Sequence, residues 1–368
     1  MKRLLLFILY ILCSFNLLGA EPSPINIVWI VIEDASPHLG CYGESLIKTP
    51  NIDQMSREGI RFKNAFVTAP VCSPSRSAMI SGMYQTTLGA HNHRSQNSSK
   101  KGGGNKSYYQ SYRVPKSLKL IPELFRDAGY YVTNKTKTDY NFIPNGELYE
   151  GTEWKKAPNK QPIFAQFQLR GGKNRSAQSQ VDPRKVILPP YYPDHPELKK
   201  DWAKYLDSWV ETDKEVGKIL NDLKIAGRLD STAVFLWTDH GVSHLRGKQF
   251  LYDEGIRIPL IIKLPKSERA GTVRDDLIEH IDIAASSLKI AGIKIPKNLQ
   301  GQDFLAADYK PRDFIFSGRD RCDETVDIQR CVRDSRFKYI RNFMSHVPHM
   351  QPNKYKDGKK IIQVIRSL

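Results

Sequence analysis

Three short stretches of this chain combine side chains suited to bond-breaking chemistry, and each stands where a helix should begin or a strand should end. The segment APVCSPSRSAMISG, residues 69–82, places Cys72 two residues before Pro74 and Arg76 two residues after it. Pro74 suits the first turn of a helix, where its missing N–H has no partner to lose. Cys72 then sits just ahead of the helix start, facing free N–H groups and the positive end of the helix dipole. Arg76 adds a forked cation. A thiol held there is acidified and reactive. A cysteine hydrolase would pair it with a histidine base, and His91 and His93 lie nearby in sequence. The other two stretches are Glu33-Asp34 and Asp239-His240. Carboxylates with an added imidazole and no paired cysteines suit calcium or magnesium more than zinc. The plainer reading of such acids is structural, since acids at strand ends often cap the next helix.

These residues need elements to hold them. INIVWIVI (25–32) is a continuous apolar run, expected of a strand covered on both faces. Thr49-Pro50-Asn51 opens a helix that Gly59 stops. Residues 62–67 read as an extended piece leading to the cysteine. LIPELFRDAGYYVT (120–133) reads as helix then strand, and PIFAQFQL (162–169) as a strand. Between 200 and 226, Trp202, Leu206, Trp209, Val216, Leu220 and Leu223 recur at helical spacing. Asp213 shares that stripe and is expected to be a buried acid satisfied by a neighbour. STAVFLWT (231–238) and RIPLIIKL (257–264) complete the strands, with Pro259 predicting an edge position for the latter. Alternation of this kind predicts an α/β fold: a mostly parallel central sheet with helices on both faces. Chemistry in such sheets sits beyond the carboxyl ends of strands. The two acidic strand ends are therefore predicted to meet. Two basic loops, 95–117 and 169–185, are either solvated connections or the walls of a cleft for a charged sugar.

Charge and leader bound the partners. The net charge of +17 favours an anionic partner. No groove-reading motif argues for nucleic acid, and sulfated or carboxylated glycans fit an exported protein better. Charge that serves only solubility is the bland alternative. MKRLLLFILYILCSFNLLGA has the charged start, apolar run and small-residue exit of a secretory signal peptide spanning 1–20. A periplasmic or secreted protein follows, with no membrane association after cleavage. Five cysteines are present. Cys13 lies in the leader, and Cys41, Cys72, Cys322 and Cys331 allow three pairings, Cys322 with Cys331 among them.

Cys72-Ser73-Pro74-Ser75-Arg76 followed by Ser81-Gly82 resembles the signature of the sulfatase family. The resemblance extends over about Asn26 to Asn342. It takes in EDASPHLGCYG (33–43), TPNIDQMSREGIRFKNAF (49–66), TDHG with RGKQFLYDEGIRIPLII (238–262), and RDRCDETVDIQRCVRDSRFKYIRN (319–342). It implies an alkaline-phosphatase-like fold with a catalytic domain over 21–345, residues 346–368 forming a polar tail in place of a fuller C-terminal sheet. It also implies that Cys72 is oxidised by a formylglycine-generating or equivalent maturation enzyme. The hydrate of that formylglycine would attack sulfur and release inorganic sulfate from a sulfated carbohydrate. By the same resemblance Glu33, Asp34, Asp239 and His240 hold calcium, or magnesium, together with the modified Cys72. Glu33 stands where the family usually has aspartate. Arg76 would orient the nucleophile, Lys248 would grip sulfate and assist departure of the alcohol, and Lys137 would be a further cation of the catalytic set. The chain departs from the family twice. Lys137-Thr138-Asp139 replaces a Lys-x-His, and Lys173 stands where a histidine usually follows the strand at 163–169. His244 is then the expected proton donor to the leaving group, with His91, His93, Arg94 and Lys173 lining the substrate pocket, a plain surface or structural role being the alternative for each histidine. Two other readings stay open: a phosphate or phosphonate ester hydrolase on the same scaffold, and a non-catalytic binder of sulfated glycans.

Overall fold

The computed structural model describes residues 24–93, 113–158 and 160–368. The leader, Arg94 and most of the loop at 95–117 lie outside the described residues.

The apolar runs become the strands of a central sheet. Strands β1 (Asn26–Ile32), β2 (Ile60–Phe66), β3 (Tyr131–Lys135), β4 (Ile163–Leu169), β5 (Thr232–Thr238), β6 (Arg257–Lys263) and β7 (Thr272–Glu279) lie in the order β3-β4-β1-β5-β6-β2-β7. All but β6 run in one direction. Side chains alternate across a strand, so β1 feeds two separate cores. Ile27, Trp29 and Val31 enter one, and Val28, Ile30 and Ile32 the other. This is why β1 reads as unbroken apolar sequence.

Helices α1 (Pro50–Arg57), α2 (Cys72–Ser81), α3 (Ile121–Asp127), α4 (Pro196–Ile225) and α5 (Asp282–Ile290) cover the two faces. On the Val28 side, α4 contributes Leu198, Trp202, Leu206, Trp209, Val216 and Leu223. On the Trp29 side lie Met79 and Ile80 of α2, Phe125 of α3 and Leu288 of α5. Asp213 is the satisfied acid expected of it. Its carboxylate accepts from the Ile52 N–H at 2.8 Å and the Asn51 side chain at 2.7 Å, closing the first turn of α1.

Two expectations change. Strand β6 lies inside the sheet, between β5 and β2. Pro259 is accommodated because the β2 pairing shifts register between Phe62 and Ala65, opposite Leu260 and Ile258, and the β5 pairing ends at Leu260. A bulge spares the ladder the N–H that proline lacks. The polar tail is also folded. After a three-stranded antiparallel sheet of β8 (Ile315–Cys322), β9 (Thr325–Arg333) and β10 (Lys338–Asn342), the chain forms α6 (Lys354–Asp357) and α7 (Lys360–Ser367). Ile361, Ile362 and Val364 of α7 bury into the α4 core. Their helical spacing is masked by the lysines around them. Cys41, Cys72, Cys322 and Cys331 are all free thiols.

Candidate active site

Strands β1 and β5 are parallel neighbours, and Ile32 pairs with Thr238 at their carboxyl ends. The residues that follow, Glu33-Asp34 and Asp239-His240, therefore emerge side by side. Asp34 takes a left-handed backbone, with φ of 53°, a conformation in which aspartate is several-fold enriched over most residues. Its N–H donates to Asp239 Oδ1 at 3.1 Å. Helix α2 brings in the third stretch, beginning at Cys72 after an extended Val71. The Ser75 hydroxyl donates to the Asp239 carbonyl, tying the first turn of α2 to the end of β5. Asp34, Cys72, Asp239 and His240 are all buried, and one ligand atom from each lies within 4.8 Å of the others.

A ring of cations surrounds the sulfur. Cys72 Sγ is 3.2 Å from His240 Nε2, 3.2 Å from Lys248 Nζ and 4.0 Å from Lys173 Nζ. Burial alone would push this thiol up. Lys137, Lys248, His240 and Lys173 outweigh it and hold the thiol well below its ordinary value. The other three cysteines among the described residues go the opposite way: burial pushes Cys322 and Cys331 up to about 11 and Cys41 up to about 12.

The cations are themselves anchored. Lys248 Nζ reaches both Asp34 oxygens, at 3.1 and 3.0 Å. Lys137 and Lys173 share the Glu33 carboxylate, the former at 2.9 Å. Both lysine contacts are to Glu33 Oε2, and Glu33 is the one expected metal ligand outside the four-residue group. Arg76 is fully buried. Its Nε and Nη2 each lie 3.0 Å from Asp239 Oδ2, and Nη1 donates to Gln168 on β4. Lys173 owes its place to Gly171-Gly172. A Cβ on Gly172 would meet the Asp34 carbonyl oxygen at 2.0 Å, so only glycine lets the loop after β4 lie against the end of β1.

The remaining expected residues are spread more widely. His244 is buried between the rings of Tyr192 and Trp202, its Nε2 3.6 Å from Asp201. Burial holds it neutral, helped by Arg175. His93 is bound to the β8–β9 turn, with Nδ1 3.0 Å from Asp323. His91 makes no hydrogen bond to the Cys72 group among the described residues. Sequence reasoning missed Gln168, hidden inside an apolar strand, and Tyr355, whose hydroxyl lies 3.4 Å from Asp34 Oδ2. Tyr355 comes from a segment more than 300 positions away, and no local pattern announces that contact.

The family model described as Sulfatase matches residues 25–175 and 149–293. The chain belongs to the sulfatase family. A second model, N-sulphoglucosamine sulphohydrolase, C-terminal, matches residues 240–359. An ulvan-active sulfatase of Formosa agariphila is 32% identical over 393 residues, covering 94% of this chain and 65% of that protein. An N-acetylgalactosamine-6-sulfatase of Rattus norvegicus is 27% identical, covering 81% of this chain and 68% of the relative. The chain thus spans about two thirds of the length of these curated relatives. A crystal structure of a putative sulfatase from Bacteroides thetaiotaomicron superposes with a TM-score of 0.71 at 20% identity, over 94% of this chain and 91% of the other. The alkaline-phosphatase-like α/β fold is shared with such sulfatases.

The donor set fits a hard divalent cation. Two buried carboxylates and an imidazole converge beside residue 72, and a soft thiolate set of the kind that selects zinc is absent among the described residues. The residues able to hold an ion are Asp34, Asp239, His240 and the side chain at position 72.

Proposed function

We propose that this chain hydrolyses sulfate esters of carbohydrates and releases inorganic sulfate, after Cys72 has been converted to formylglycine by a maturation enzyme. The observation that carries this reading is the position of Cys72 Sγ, at the first residue of α2, within 4.0 Å of two lysines and a histidine. Calcium is the proposed ion, magnesium being the other hard cation of this kind, with Asp34, Asp239 and His240 as protein ligands. The oxidised residue would supply the nucleophile, and the bound ion would lower its pKa and spread charge over the sulfate oxygens.

The chain's own residues do the rest. Lys137, Lys173 and Lys248 form a fixed cationic wall that binds the sulfate oxygens and turns sulfur toward position 72. With residue 72 still a thiol, burial works against the charge on Lys248 and Lys173, but Asp34 for the first, and Cys72 with Asp34 for the second, outweigh it and hold both well above the ordinary lysine value; after conversion Asp34 and Glu33 remain as their anionic partners. Lysines held charged are poor proton donors near neutral pH, and they serve by stabilising the charge that builds in the transition state. Arg76 contributes by holding Asp239 in one rotamer through two nitrogens. His244, packed neutral among aromatic rings, lies outside this wall, and protonation of the departing alcohol is assigned to solvent or to a substrate-side group. The leader at 1–20 supports export to a periplasm or beyond the cell.

The test joins mass spectrometry of the Cys72 peptide, from chain co-produced with a maturation enzyme, to sulfate release from sulfated saccharides. Phosphate and phosphonate esters run alongside. Formylglycine at position 72, and turnover that is lost on chelation and restored by calcium, are expected. An intact thiol in a competent host with no sulfate released, or faster turnover of phosphate esters, overturns the reading.

A further inference from the structure

Beside the cationic wall, α6 brings a second set of groups to the rim of the site. Tyr355 is 38% exposed, and its ring lies close to two ammonium groups, 4.8 Å from Lys248 Nζ and 5.2 Å from Lys359 Nζ. The Tyr355 and Ser243 hydroxyls lie 2.9 Å apart, and Lys359 Nζ donates to the Ser243 hydroxyl and carbonyl, each at 2.8 Å. Lys359 is therefore linked to Asp34 through only two hydroxyls. An ammonium has three donors, and Ser243 takes two. No carboxylate lies within salt-bridge distance of Lys359 among the described residues. Arg175 is near enough for its charge to act on Lys359. Its Nη1 donates to the Asp201 carbonyl at 2.8 Å, and its Nη2 is buried with no hydrogen-bond partner. Asp201 is the carboxylate facing the pair, its Oδ2 3.5 Å from Arg175 and 3.6 Å from His244. Burial, and then the Arg175 charge, push Lys359 down to about 8. Asp201 answers Arg175 on one side only, and the spare donors of Arg175 Nη2 and Lys359 are costly to leave unpaired unless a further anion takes them.

We propose that Lys359 and Arg175, with the Tyr355 ring as a platform, form a subsite for a second oxyanion on the sugar that carries the scissile sulfate. The inference rests on the proposed sulfatase reading and narrows it: the substrate is a saccharide bearing a further carboxylate or sulfate beside the ester that is cut. The α6 segment is fixed well enough to serve. Asn353 caps it and bonds the Cys322 carbonyl and the Thr325 hydroxyl, at 3.2 and 3.0 Å. Lys356 Nζ lies 4.1 Å from the Phe250 ring centroid and reaches the Leu245 carbonyl at 3.3 Å. The exposed part of the Tyr355 ring suits the apolar surface of a sugar, and the two cations suit its charged substituent.

The experiment compares three monitored substrates on the calcium-loaded, matured enzyme: a neutral monosulfated sugar, a monosulfated uronate disaccharide and a disulfated disaccharide. The readout is the ratio of kcat/KM on each charged substrate to that on the neutral one. In Lys359→Gln this ratio is expected to fall about tenfold, the scale of one charge-assisted hydrogen bond, with the loss carried by KM. Lys359→Arg is expected to recover most of it. The uronate and disulfated arms identify which oxyanion the subsite takes. A uniform loss on all three substrates, or an unchanged ratio in both Lys359→Gln and Arg175→Gln, overturns the subsite. If the parent releases no sulfate from any substrate, the sulfatase reading fails instead. The subsite is then judged by calorimetric binding of the unsulfated uronate disaccharide to parent and Lys359→Gln, equal binding overturning it.

Discussion

Arg76 shows how much one side chain carries here. It is wholly buried, and its charge is balanced by Asp239, with Glu33 at 3.9 Å. Removing one partner of a buried pair leaves the other as an uncompensated charge, which costs about 3–5 kcal/mol. Arg76→Met is therefore expected to lower the denaturation midpoint strongly and to abolish sulfate release, because Asp239 loses its fixed rotamer. A midpoint equal to that of the parent in chemical denaturation would show that Asp239 is neutralised some other way. At this scale the sequence was informative. Cys72, Arg76, Asp34, Asp239 and His240 are residue types suited to chemistry, at spacings few structural residues need. Their burial together agrees with that expectation. Glu33 was not readable in the same way, because whether a carboxylate faces an ion or two lysines depends on where Lys137 and Lys173 end up.

Among the elements, the ends of β1, β4 and β5 set the site, and the loop after β4 is the tightest fit. Gly171 has φ of 47°, and a Cβ there would meet Ile32 Cγ2 at 2.3 Å. Gly172→Ala must push the loop off the Asp34 carbonyl and carry Lys173 with it. A loss of about 1–3 kcal/mol is expected, as for overpacking elsewhere, together with a larger fractional loss of kcat/KM than of thermal stability. Normal kinetics in Gly172→Ala would show that the exact place of Lys173 is unimportant. Strand and helix periodicity identified these elements, since β1 and β5 are buried on both faces and α4 on one stripe. Periodicity did not place β6. Proline argues for an edge only where the ladder is regular, and a bulge in β2 removes that condition.

At the scale of the whole molecule, the large sheet meets the small one through a buried ionic junction. Glu279, at the end of β7, accepts from the Tyr84 hydroxyl at 2.5 Å and from the Phe316 N–H of β8 at 2.7 Å, with Arg312 at 3.6 Å. Burial, and then the Asp282 carboxylate, push Glu279 from its ordinary 4.5 up to about 7. A carboxyl raised in the folded state binds its proton more tightly there than in the unfolded chain. Its contribution to stability is present below about pH 4.5 and is lost as pH rises towards 7. Glu279→Gln is expected to flatten the fall in melting temperature between about pH 5 and about pH 7.5. Parallel melting curves for parent and variant across that range would remove Glu279 from the account.

By itself the sequence determined the Cys72 segment, the two acidic strand ends, the α/β class and the family resemblance, because each is written in local residue types and short-range periodicity. Only the tertiary structure decided that Glu33 serves lysines, that His244 sits among aromatic rings, and that α6 and α7 fold back so that Tyr355 and Lys359 reach the site. Those outcomes depend on contacts between segments as far apart as Asp34 and Tyr355. Such contacts are fixed by how the two cores close around the sheet, and no short stretch of chain encodes them.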